Sequence, residues 1–281
     1  MPDTKFVLDK WFYKLGFDQE YADKLKLLQK EAKLYSIERL DYEILKKKKN
    51  PILNLVYFLY KCEELSEKYK EHGIDESILI DTLSDIRIWA NTYYDYSEGK
   101  FGIEEIDWVE KHIEFRLFKL GRLQFAFGKA EQSSLKEKIS KEDNIIEVHI
   151  PKGGPLTYRE CIQSFEFANY FFETCFPHYQ YTFYTCYSWL LDDNLKELLK
   201  DNSNIIKFAD MFTKLYSKES YVAIKYLFKW TDSKNDFKKL MPKNNFQKKI
   251  IDYILSGGVL NETYGIINKN NFETGGVRFF L

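Results

Sequence analysis

Glu147 and His149 stand two residues apart in the stretch Ile145 to Ile150. In an extended chain, side chains alternate between faces, so these two share one face while Ile146, Val148 and Ile150 share the other. A carboxylate and an imidazole projecting together can serve as a general-base pair, taking a proton from a nucleophile directly or through water; the alternative is a solvated edge carboxylate beside a structural histidine. Pro151-Lys152-Gly153-Gly154-Pro155-Leu156 follows at once, then Thr157-Tyr158-Arg159-Glu160. Glycines let backbone approach a ligand closely, and Thr157 with Glu160 fits a capping box, so a helix begins here with unpaired N–H groups in its first turn. Strand, glycine loop and capped helix in this order can hold a diphosphate on main-chain amides, with Lys152 adding a cation. A plain turn is the alternative, since the run is neither a Walker A loop nor G-x-G-x-x-G. On a later candidate strand, Tyr181 to Leu190, Tyr184, Cys186 and Ser188 share a face and each can give a proton to a departing atom. Core packing is the alternative for these, above all for Cys186.

The elements that must position these groups follow from periodicity. Tyr21, Leu25, Leu28, Ala32 and Tyr35 recur at steps of four and three, as on one helix face; Leu55, Leu59 and Cys62 mark a second helix. Asp75 caps a third, with Leu79, Leu83, Ile86 and Ala90 as its stripe, and a fourth carries Ile106, Val109, Ile113 and Leu117. After Leu120-Gly121 the period shortens to two: Leu123, Phe125 and Phe127 alternate with Arg122, Gln124 and Ala126. Cys161, Phe165, Ala168 and Phe172 sit at core spacing on the helix after the glycine loop. Further on, the spacing predicts helices at Leu195 to Leu199 and, capped by Ser203, through Ile205, Phe208 and Phe212. It predicts a strand at Tyr221 to Trp230, a helix at Asn245 to Leu255 ended by Gly257-Gly258, and a last strand at Val259 to Ile267. Helices come first, then an alternating α/β section.

Composition narrows the function. The 281 residues carry 42 Lys and Arg against 43 Asp and Glu, a formal charge of -1, so no net field gathers polyanions and nucleic acid is not an expected partner. The basic run Lys46 to Lys49, near Tyr42 and Tyr57, reads as a solvated loop. No run of about 18 apolar residues appears, so no membrane partner is expected. The N-terminus lacks a basic stretch followed by an apolar core, and four cysteines (62, 161, 175 and 186) show no C-x-x-C pairing, which points to the reducing cytoplasm. Histidines 72, 112, 149 and 178 lack ligand spacing, so no metal site is expected.

The stretch Asn144 to Leu156 resembles the strand and coenzyme A loop of a GNAT-type acyltransferase domain, and Phe183 to Asp192 resembles that domain's next strand and turn. Gly121-Arg122-Leu123-Gln124-Phe125 and the late Gly257-Gly258 followed by a short strand are similar as well. With the preceding helices, nearly the whole chain resembles a two-domain bacterial group described as acyltransferases. The resemblance implies an α+β protein: a helical N-terminal domain over residues 1–118, followed by a mixed-sheet, GNAT-like α/β domain over 119–281. It implies an acyl group moved from acetyl-CoA or another acyl-CoA to a small-molecule or peptide amine by direct attack. On these residues, the Ile150 backbone would pair with the pantetheine arm, and Gly153, Gly154 and Leu156 would give N–H groups to the diphosphate beside Lys152. Glu147 or His149 would be the base, a strand N–H near His149 or Ile150 would meet the oxyanion, and Tyr184, with Ser188 and Cys186 behind it, would protonate the thiolate. The family's usual loop is Arg/Gln-x-x-Gly-x-Gly/Ala; this one lacks the Arg or Gln and the second spaced glycine, and Pro155 removes a donor. A second reading keeps the fold for ligand binding or interaction without the chemistry.

Overall fold

Local capping chemistry starts most of the helices of the first unit. The computed structural model describes residues 3–17, 21–228 and 237–272. The chain divides into two units at Leu120/Gly121. In the first, helices α1 (Thr4–Lys14), α2 (Ala22–Ala32), α3 (Tyr42–Lys48), α4 (Pro51–Glu71), α5 (Glu76–Tyr96) and α6 (Ile106–Ile113) precede a short strand, β1 (Leu117–Leu120). Asn50 accepts the Ile52 and Leu53 N–H groups ahead of Pro51 at the start of α4, and Asp75 accepts that of Ser77 at the start of α5. Both long helices bury apolar stripes, Leu55, Leu59 and Cys62 on α4 and Leu79, Leu83, Ile86 and Ala90 on α5. The Lys46 to Lys49 run is not a loop but the end of α3: Lys46 pairs with Asp107 at 3.5 Å, and Lys48 lies over the Tyr35 ring.

A buried carboxylate ties α5 to α6. Asp85 Oδ2 accepts hydrogen bonds from Trp89 Nε1 (3.0 Å) and Trp108 Nε1 (2.8 Å) and faces His112 Nε2 at 3.0 Å. Burial alone would raise this carboxyl's pKa; His112 and the two indole donors outweigh it and hold the group below its ordinary value.

The second unit holds strands β2 (Leu123–Lys129), β3 (Asn144–His149), β4 (Phe183–Ser188), β5 (Thr213–Glu219) and β6 (Asn261–Asn268). They lie in the order β2-β3-β4-β6-β5, with β3 and β4 parallel and the other pairs antiparallel. Helix α7 (Tyr158–Cys175) makes the crossover from β3 to β4 and covers one face. On that face Phe165 packs against Phe125 and Tyr184 at ring separations of 5.6 and 5.0 Å, and Phe172 against Phe127 at 5.4 Å. Short helices α8 (Leu195–Leu198), α9 (Asn204–Ala209) and α10 (Val222–Leu227) join α11 (Asn245–Leu255) around a second cluster that includes Leu195, Ile224, Ile250 and Leu260. The architecture is α+β, as expected: helices, then a mixed sheet.

Three further stretches depart from the pattern read in the sequence. Residues 222–227 form α10 rather than a strand, because Ala223, Ile224 and Phe228 turn together into the second cluster; Lys229 and Trp230 lie outside the described residues. Thr213–Glu219 is a strand that periodicity missed, since this sheet edge is mostly exposed and shows no apolar alternation. Leu117 begins β1 rather than continuing α6. Among the described residues no helix is long and apolar enough to cross a membrane, and no group of three or more His, Cys, Asp or Glu is placed to hold a metal ion.

Asp85→Ala would leave two indoles and an imidazole without their shared acceptor. Denaturant unfolding followed at the tryptophans should show the helical unit losing about 3 kcal/mol. Because the Asp85 pKa is depressed, its contribution is present above the ordinary carboxylate pKa and lost as pH falls through the lower folded value.

Candidate active site

The end of β3, the loop after it and the start of α7 form one continuous feature. Thr157 caps α7, its hydroxyl accepting the Glu160 N–H at 3.3 Å, the first half of the expected capping box, while the Glu160 carboxylate turns back onto the Thr157 hydroxyl rather than its N–H. Just before it, Gly153 and Gly154 take φ values of +108° and +60°. Such angles strain a residue with a Cβ, so the glycines are a backbone requirement. A Cβ built on Gly153 would meet nothing within 4 Å, so the loop's outer side is open. Lys152, Gly153, Gly154 and Pro155 are exposed, whereas Leu156 is buried. Among the described residues, the N–H groups of Gly153, Gly154 and Leu156 donate to no protein acceptor.

Three of the loop's carbonyls meet Arg122, in the turn ahead of β2. Its Nε donates to Pro155 O at 3.0 Å, Nη1 to Pro151 O at 3.0 Å and Nη2 to Gly154 O at 3.3 Å. Burial draws the guanidinium pKa below its usual value.

β3 and β4 part beside this loop. Their parallel ladder holds only Ile146↔Tyr184 and Glu147↔Thr185, while β4 continues alongside β6 as far as Ser188↔Thr263. Past Glu147, the end of β3 is therefore not laddered to β4. Glu147 and His149 share a half-buried face there, with His149 Nε2 at 3.1 Å from Glu147 Oε2. Room for the carboxylate comes from Gly128 on β2: a Cβ there would stand 2.7 Å from Glu147 Cγ and 2.8 Å from Oε1.

The register corrects one part of the expected site. Since Glu147 pairs with Thr185 and Ile146 with Tyr184, the Tyr184, Cys186 and Ser188 side chains belong to the α7-covered face, opposite Glu147 and His149. Tyr184 is fully buried, its hydroxyl 2.6 Å from Asn169 Oδ1 and 2.9 Å from the Tyr181 hydroxyl, and burial pushes its pKa well up. Cys186 is buried too, its thiol raised to about 12 by desolvation. Ser188 caps the turn Trp189–Leu191 by accepting the Leu190 N–H at 3.2 Å. None of the three shares a face with Glu147 and His149. On the Glu147 face the register instead aligns three tyrosines, Tyr187↔Tyr264↔Tyr216, and Tyr187 is 45% exposed. Desolvation and then Glu262, Tyr216 and Glu131 raise the Tyr187 pKa; desolvation, with Glu131 and Glu147 nearby, raises that of Tyr264. Arg122, Gly128 and Tyr187 were not singled out from the sequence. Only parity within β4 hinted at Tyr187.

Against known proteins, the N-acyltransferase N-terminal domain model matches residues 8–115, and the GNAT-like C-terminal domain model matches residues 117–267. No curated protein matches the chain. Among solved structures, an acyltransferase in complex with decanoyl-CoA and teicoplanin is 22% identical, with a TM-score of 0.69 over 82% of this chain and 69% of that one. An acyltransferase in complex with CoA and 10C-teicoplanin matches to the same extent, and one in complex with decanoyl-CoA is 23% identical, at a TM-score of 0.68 over 81% of this chain and 68% of that one. At this identity the likeness is one of fold. The GNAT-like domain alone accounts for more than half of the sequence, and the chain belongs to the family that joins an N-acyltransferase N-terminal domain to a GNAT-like C-terminal domain.

Proposed function

We propose that this protein is an acyl-CoA-dependent N-acyltransferase in which an amine attacks the thioester directly. The observation that carries the reading is the uncommitted amides of Gly153, Gly154 and Leu156 at the head of α7, beside strands that part after Glu147 and Thr185. Backbone amides at a helix start suit a diphosphate, and the unladdered end of β3 at Ile150 suits the amide-bearing pantetheine arm. Lys152 adds positive charge beside the diphosphate. Structures of similar fold with CoA or decanoyl-CoA bound support acetyl-CoA or another acyl-CoA as donor, and one with teicoplanin bound supports a small-molecule or peptide amine as acceptor.

In this reading Glu147 or His149 takes the proton from the attacking amine, directly or through water, and the pair's 3.1 Å contact orients the imidazole. The nitrogen–carbon bond forms, the carbonyl oxygen becomes an oxyanion, and a main-chain N–H near His149 or Ile150 meets it. The carbon–sulfur bond then breaks, and the thiolate takes a proton to leave as CoA beside the amide. Tyr187, exposed on the Glu147 face, replaces Tyr184 as the donor we assign to that step. The buried Cys186 thiol supports direct attack over an acyl-enzyme. Four free cysteines support a reducing cytoplasm as the compartment.

Calorimetric titration with acetyl-CoA and longer acyl-CoAs should show saturable binding; no heat at millimolar ligand for any of them overturns the reading. Binding without turnover across a broad amine panel would favour the silent, ligand-binding alternative. Glu147→Gln and His149→Ala should each lower kcat by about a hundredfold or more with little effect on acyl-CoA affinity. Unchanged kcat in both would move the base elsewhere. Tyr184→Phe should keep turnover while costing about 1 kcal/mol in thermal or denaturant unfolding, because it removes a buried hydroxyl from the Asn169–Tyr181 network.

A further inference from the structure

We infer that Arg122 is a positioning residue for the acyl-CoA diphosphate, acting through the loop that would bind it. The inference rests on the acyl-CoA reading and adds what that reading lacks, a cause for the outward direction of the Leu156 amide. In a planar trans peptide, the C=O and the N–H of the next residue point in opposite directions. Drawing Pro155 O onto Arg122 Nε therefore aims the Leu156 N–H away from Arg122, and drawing Pro151 O onto Nη1 does the same for the Lys152 N–H. Gly154 O, held by Nη2, belongs to the peptide whose nitrogen is that of Pro155, so its capture sacrifices no donor. Arg122 thus turns three carbonyls inward with a single planar fork, and three of the guanidinium's five donors are spent on the loop. It shapes the anion site rather than touching the anion.

The fork is anchored to the helix that would receive the diphosphate. Arg122 N donates to Ser164 Oγ at 2.8 Å, and Ser164 Oγ donates to Glu160 O at 2.8 Å on α7. Gly121, with φ at +71°, lets this contact form: a Cβ there would stand 2.8 Å from Ser164 Oγ. The loop holds no arginine or glutamine of its own, and the cation that orders it arrives from the turn before β2. Lysine cannot substitute, because one ammonium on a flexible stem does not present three donors in one plane.

The test compares wild type with Arg122→Lys in CoA affinity by calorimetry and in turnover of acyl-CoA and of an acyl-pantetheine lacking the diphosphate. Arg122→Lys should weaken CoA binding about tenfold, equivalent to about 1.4 kcal/mol, and raise KM for acyl-CoA in parallel. Its kcat, and its activity on acyl-pantetheine, should match wild type. CoA affinity equal to wild type would overturn the inference while leaving the acyltransferase reading in place, as would an equal loss on acyl-pantetheine. Wild type that binds no CoA would overturn both. Should the variant fail to fold, amide hydrogen exchange on wild type decides the matter: CoA should protect the Leu156 amide, and unchanged exchange there while CoA binds overturns the inference and leaves the acyltransferase reading in place.

Discussion

Two residue pairs hold the parallel edge between β3 and β4, and the site depends on how short that contact is. Main-chain N–H and C=O groups need partners, and a strand edge left unladdered offers them to a ligand. β4 satisfies its other edge against β6 along its whole length, so the sheet does not fray where β3 departs. α7 bridges β2 and β4 on one face, with Phe165 against both Phe125 on β2 and Tyr184 on β4. The opening is thus a built feature, braced by an apolar layer, with the glycine loop and the head of α7 at its rim.

That arrangement divides labour between the two faces of the sheet. The α7 face takes the large aromatic side chains, and its one polar group of note, the Tyr184 hydroxyl, is satisfied by Asn169 and Tyr181, as burial demands. The opposite face keeps its ionisable groups: Glu147 and His149 at the parting strands, with Tyr187, Tyr264 and Tyr216 in a row across β4, β6 and β5. Proton transfer needs groups that meet solvent or substrate, and packing needs groups that do not. One strand, β4, presents residues to both faces through alternation alone.

The helical unit solves a different problem, ordering two 21-residue helices against shorter ones. Beyond apolar burial it uses polar fasteners: Asn54 donates to Ile103 O at 2.8 Å, Ile103 N donates to Pro51 O at 2.9 Å, and Gly102 leaves room for the approach, since a Cβ there would stand 2.4 Å from the Pro51 backbone. Asp85 fastens α6 in the same way, by gathering donors from both helices around one buried carboxylate.

What could be read in the sequence was everything governed by neighbours along the chain. The caps of α5 and α7, the stripes of the long helices, the alternation in β2 and β3, and the glycine loop between β3 and α7 are local consequences of residue type and spacing, and they hold. Where local signals were weak the reading slipped: β5 is an exposed edge with no apolar alternation, and α10 is a short apolar run whose form is set by the cluster it enters. The site was half legible for the same reason. Glu147 and His149 share a face because they lie on one strand. Whether Tyr184 or Tyr187 joins them depends on the register between two strands brought together by a helical crossover, and a shift of one residue reverses the answer. Arg122 was invisible as a loop residue because it is distant in sequence and meets that loop only through the folded sheet. Side-chain alternation belongs to the chain by itself; strand register and the reach of a guanidinium across the fold belong to the tertiary structure.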